Sequence, residues 1–262
     1  MTSKIKVDTI ENVAGSGNVS LGSGHNLVVP GNNTTSGNAT VGGTLGVTGT
    51  TTIGNGTSGV AKINGGSSSS GQIIFMDAGT NRARIGVPTG TTTLSLSGSN
   101  SLTGDVVIDV DGRVTEPSQP SFLAKGANGA YITTSPIPFP TVSGSGVNMA
   151  AHNIGNHYNT SNYTFTAPVA GRYFFHVHLG IVRGATSSAQ MYPTLLVNGN
   201  GVAYTYAKIE VAPTSNNYLN CSVTQVLSLS ANDAVKVNFN QSGSGTYYNG
   251  AAESSFMGYL LG

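Results

Sequence analysis

The chain has 262 residues, of which only 8% are charged, and its formal net charge is +1. The eleven Lys and Arg are scattered singly, as at Lys62, Arg113, Arg172 and Arg183, so no field steers an acidic partner, no basic stripe tracks phosphates, and nucleic acid is not an expected partner. The single Cys221 leaves no intrachain disulfide framework, and no apolar run approaches the roughly 20 residues that span a bilayer, so membrane insertion is not expected.

Met1 to Lys6 lacks the apolar region of a signal peptide, which suits a chain made in a cytoplasm. The Asn-x-Ser/Thr triplets at Asn38, Asn55 and Asn162 then reflect composition rather than glycosylation. Residues 4–11 alternate apolar and charged side chains, and Ile5, Val7 and Ile10 mark a short strand. A strand this short does not fold alone, and 1–30 is read as an attachment segment that adds to a partner's sheet edge.

Over 31–66 a six-residue period sets in, with Val41, Val47 and Ile53 each followed by a small polar or glycine pair. Fixing six residues costs roughly 6–12 kcal/mol of backbone entropy. Burying one Val or Ile returns about 1.5–3 kcal/mol, and a lone chain has nothing to cover the row. Several chains wound together share an axial core, so the reading is a multi-chain β shaft with Val41, Val47 and Ile53 inside. Residues 67–71, within Gly65–Gly71, form a flexible joint.

Residues 72–120 form a small β module. Gln72–Met76, Arg82–Val87, Thr92–Leu96 and Val106–Val110 read as strands separated by turn residues. With one aromatic, Phe75, the module is too small for a self-sufficient core and needs neighbours. Asp109-Val-Asp-Gly112 has a passing likeness to a calcium loop without the remaining ligands, and reads as a plain turn.

Eighteen of the nineteen aromatic residues lie between Phe122 and Tyr259, so 121–262 is the part that folds around its own interior. The ordered set Ser121-Phe122, Tyr163 to Phe175 with Pro168 and Gly171, Leu195 to Gly199, Leu227 to Val235 and Ser254 to Leu261 resembles a C1q-type head, the jelly roll shared with the tumour-necrosis-factor fold. The resemblance implies an all-β chain ending in a trimeric head with an aromatic core at the threefold axis. Ala231-Asn232 precedes Asp233 where glycine is more usual in that family, and glycine shows no collagen period.

Lys4–Glu11 and Gly112–Phe122 resemble segments of tailed-bacteriophage fibre proteins, which often end in such heads. That resemblance implies a homotrimeric virion fibre, assembled in the host cytoplasm and held by its N-terminus to a tail or capsid protein. The head would present itself to a host-surface glycan or protein. A capsid-decorating head fibre and a cell-encoded C1q-like lectin or adhesin remain as alternatives.

No catalytic residues are expected, because Glu210, Asp233 and Glu253 do not form an evident carboxylate pair and Trp is absent. His176 and His178 share one strand face by their two-residue spacing and could meet a metal across a threefold axis. They read as an ordinary half-exposed face, and neither metal nor cofactor is expected. If Ser254–Leu261 returns to the stalk end, long loops around 184–190, 212–218 and 241–252 fall at the distal tip. Tyr218, Tyr247 and Tyr248, with Asn216, Asn217 and Asn249, are then the candidates for receptor contact.

Overall fold

The computed structural model describes residues 71–99, 101–102, 104–126, 130–131, 136–142, 151–185, 189–202, 209–211, 214–242, 246–249 and 254–262, with single positions and short runs upstream. The chain divides into two compact units, Met1–Ala61 and Lys62–Gly262. Among the described residues all regular secondary structure is β.

In the upstream part Val41, Leu45, Val47 and Ile63 are described, each with about half or more of its surface exposed and none in a strand. Of the six-residue row, Val41 and Val47 are thus exposed in one chain. Ile53 and the anchor residues Ile5, Val7 and Ile10 lie outside the described residues.

The small module is an antiparallel meander in chain order: β1 (Gly71–Asp77), β2 (Thr80–Val87), β3 (Leu94–Ser97), β4 (Val106–Ile108) and β5 (Val114–Thr115). Its first hairpin turns on Ala78 and Gly79, at φ 46° and 78°, the left-handed pair that matches strand twist. The Asp109 carboxylate accepts from the Asp111 and Arg113 backbone N–H groups and from Arg113 Nε at 2.6 Å, so this segment is the plain turn that its sequence suggests. That turn creates β5, a strand too short to signal itself in sequence. Ile73 and Phe75 are exposed on one face of β1, and Ile74 and Met76 on the other. The module therefore has no covered core within one chain.

The head begins with β6 (Ser121–Lys125), β7 (Ala130–Tyr131), β8 (His152–Ile154), β9 (Tyr158–Asn159) and β10 (Thr164–Thr166). The long strands follow: β11 (Gly171–Ala185), β12 (Ala189–Val197), the short β13 (Asn200–Val202) and β14 (Ile209–Val211), then β15 (Thr214–Leu229) and β16 (Ala234–Ser242). It ends with β17 (Thr246–Asn249) and β18 (Ser255–Leu260). One sheet runs β7-β17-β11-β18-β6-β8, with β15 on the other side of β11. The second runs β13-β12-β16-β10-β9, with β14 also on β12. Among the described residues the strand pairings within the two sheets are antiparallel, giving a two-layer jelly roll.

Alternation builds the interior. Tyr173, Phe175, Val177 and Leu179 of β11 are fully buried, and Val235, Val237 and Phe239 of β16 face them from the second sheet. Phe122 lies at the centre, stacked on Tyr158 at 4.8 Å and Phe165 at 5.1 Å, with Phe256 edge-on at 4.8 Å. Such pairs add about 0.5–1.5 kcal/mol each beyond the area that they bury. The buried hydroxyls are satisfied: Tyr158 donates to Phe139 O at 3.1 Å and Tyr173 to Val169 O at 2.9 Å.

Gly258 makes this cluster possible. It pairs with Phe122 on one side and Phe175 on the other, and a Cβ there would stand 2.6 Å from Phe175 and 2.9 Å from Phe122. Gly258→Val is expected to lower head stability by about 2–3 kcal/mol through overpacking, read as a fall in melting temperature.

Two hairpin turns are clasped at one end. Asp233 accepts from the Ser230 N–H at 2.7 Å and the Asn198 amide at 2.8 Å, and Asn198 in turn accepts from the Ala234 N–H. The Asn198 amide, then the Ser230 N–H, hold the Asp233 carboxyl below its ordinary value of 3.8. A carboxyl lowered by folding contributes stability that is fully present above its unfolded value and is lost as pH falls through the folded one. Asp233→Asn is therefore expected to lower the melting temperature at neutral pH, and the gap should close in titrations taken well below pH 3.8.

Candidate functional site

The two sheets present opposite kinds of outer face. On the second sheet Thr194, Asn238 and Asn240 form a polar ladder: Asn240 donates to Thr194 Oγ1 at 2.6 Å and Asn238 to Asn240 Oδ1 at 3.2 Å. Lys236 and Tyr192 continue it, with Leu196 beside Lys236, and Thr194 is buried within the ladder. On the first sheet the rows read Tyr259, Phe174 and Val226, then Leu123, Met257, His176 and Thr224, then Lys125, Ser255, His178 and Ser222.

Val226 keeps 55% of its surface exposed and Tyr259 37%, and the Phe174 and Tyr259 rings lie 5.1 Å apart. Among the described residues no carboxylate stands in these three rows. Aromatic, aliphatic and imidazole groups fill seven of the eleven positions, with three hydroxyls and a single lysine, a profile closer to a covered interface than to a charged surface. Eight of the eighteen aromatics that mark the head in sequence are buried in the interior of one chain, whereas Phe174 and Tyr259 stand on this face.

The head's two ends also differ. Leu229 pairs with Gly171 where β11 begins, and the Leu260 N–H binds Pro120 O at 3.1 Å, so the chain enters the head beside the clasped turns. At the far end of β11, Asn217 and Tyr218 pair with Arg183 and Val182 from one side, and Tyr247, Tyr248 and Asn249 pair with Arg183, Val182 and Ile181 from the other. Asn216 lies on the same stretch of β15. Five of the six candidate residues thus belong to strands that converge on the three-residue stretch Ile181–Arg183 of β11, and all six lie at the end away from Pro120. The expected long loops are largely absent: the strand partners extend through 214–218 and 246–249, leaving short connections. Alternation is hard to read in a run such as Ser215-Asn-Asn-Tyr218, where cross-strand pairing rather than apolar spacing makes the strand.

The chemistry of reactive groups is subdued. Cys221 is buried on the inner face, and burial pushes its thiol up to about 12, so it does not act as a nucleophile. Asp233 is spent in its turn, Glu210 on β14 pairs through its backbone with Gln190 on β12, and Glu253 lies outside the described residues. Among the described residues no group of three or more His, Cys, Asp or Glu is placed to hold a metal within one chain.

A family model described as the C1q domain matches residues 122–261, just over half of the chain. The chain belongs to the C1q domain family. No curated protein matches it. Among solved structures it is similar to the globular domain of the zebrafish complement 1qA protein, at 16% identity over 55% of this chain and 98% of that one, with a TM-score of 0.38. C1q domains generally form trimers and bind ligands.

In this C1q head the outer face of the first sheet is the surface suited to trimer contact. It was not singled out from sequence, although Phe174, His176 and His178 alternate there with buried residues. Val226→Asp, on an exposed strand position, is expected to turn a trimer into a folded monomer, with light scattering reporting the mass and circular dichroism the retained fold.

Proposed function

We propose that the chain is a homotrimeric structural fibre of a tailed phage that presents its C1q head for host-surface binding. The observation that carries the reading is an uncovered apolar row, Val41, Leu45 and Val47, upstream of a C1q domain whose own first-sheet face is also uncovered. Both parts lack cover in one chain, and a parallel trimer in register supplies it to both. The meander between them, exposed on both faces of β1, fits the same arrangement.

Attachment to a virion is supported by the resemblance of Lys4–Glu11 and Gly112–Phe122 to fibre segments, with Ile5, Val7 and Ile10 as the anchor. Binding is assigned to the far end, where Asn216, Asn217, Tyr218, Tyr247, Tyr248 and Asn249 gather. Asn and Tyr are residue types suited to contact with a glycan or protein, and three weak sites per fibre act together. The function needs no catalysis.

One experiment tests the reading in two arms. Particles assembled with the intact chain should bind a head-specific antibody, and deletion of residues 2–30 should leave a soluble trimer that no longer incorporates. Tyr247→Ala with Tyr248→Ala should cut adhesion of the trimer to host cells several-fold while its melting temperature stays within a few degrees. Normal incorporation of the deletion variant moves the anchor downstream. A trimer that adheres to cells but never joins particles favours a cell-encoded lectin or adhesin, and incorporation at capsid vertices favours a decorating fibre.

A further inference from the structure

His176 and His178 project successively from the outer face of β11, with Cα atoms about 7 Å apart by strand geometry. Neither lies at an edge. His176 stands in register between Met257 and Thr224, and His178 between Ser255 and Ser222. His176 Nδ1 is 2.7 Å from Thr224 Oγ1. With Nδ1–H donated to that hydroxyl, the lone pair lies on Nε2, which is the arrangement of a metal-binding imidazole with its supporting partner. Partial burial, and then the neighbouring His178, lower the pKa of His176, which favours the neutral, ligating form.

A trimer packed by this face buries the imidazoles further. Each polar nitrogen left without a partner is then costly, and no carboxylate in the three rows relieves it. The remedy available to six converging imidazoles is a shared cation. We propose that three heads pack by the first-sheet face around a threefold axis and that His176 and His178 of each ligate one divalent transition-metal ion on that axis. An all-imidazole donor set suits nickel, iron, copper or zinc rather than calcium or magnesium. Each chain supplies a third of the ligands, so one chain alone does not complete the site. The inference rests on the trimer reading above.

The test uses the full chain without a histidine tag, stripped by chelator and then titrated with nickel chloride. The expected result is a trimer by light scattering, one nickel per three chains by elemental analysis, and a higher melting temperature with nickel than without. His176→Gln with His178→Gln should abolish nickel uptake while the trimer persists, and the monomer expected of Val226→Asp should lose uptake despite keeping both histidines. A trimer that takes up no nickel, or whose uptake survives the double substitution, overturns the metal site and leaves the trimer standing. One nickel per chain overturns the axial arrangement. A monomeric wild-type chain overturns the trimer and this site together.

Discussion

Ring contact around Phe122 is the constraint on which the head depends. Tyr158, Phe165 and Phe256 all meet Phe122 within 5.1 Å between ring centres, and they come from β9, β10 and β18, drawn from both sheets. Because Phe122 is the second residue of β6, the start of the domain is pinned to its interior rather than lying over it. Gly258 clears the space, so an absent side chain is as much a part of this packing as the rings are. With charged residues at 8%, the fold relies on shape and backbone pairing far more than on ion pairs.

The same alternation that fills the interior determines what is left outside. Every second residue of β11 enters the core, so Phe174, His176 and His178 are carried to the opposite face by the geometry of the strand. The second sheet spends its outward positions on Asn, Thr and Lys, and the first on groups that gain from being covered. Upstream, the described Val41 and Val47 are likewise exposed in one chain.

Much of this was legible in the residues. The aromatic-rich stretch marked the C1q domain from Phe122 onward, and the matched residues begin at that position. The short turns at Asn198-Gly199 and Ala231-Asn232 announced themselves because only a few residue types accept a left-handed backbone, as Asn198, Gly199 and Asn232 do here. Less legible were the strands made by pairing instead of by pattern. Val114–Thr115 is too short to show a period, and Ser215 to Tyr218 is too polar. The distal location of the candidate residues followed from strand parity, whereas their placement on strands did not. The covered character of one sheet face was hidden because burial alternation gives a phase for each strand but says nothing about what lies beyond the sheet.

The position of β18 has a consequence for biosynthesis. It is the last strand in the chain yet sits between β11 and β6, near the middle of its sheet, and Gln119 donates to the Leu260 carbonyl at 2.6 Å across 141 residues of sequence. The jelly roll cannot close until Leu260 has left the ribosome, and its contacts are of the long-range kind that form slowly. Everything upstream must wait in water during that interval. A first half almost free of aromatics, rich in Gly, Ser, Thr and Asn, is a chain that can wait without sticking to its neighbours.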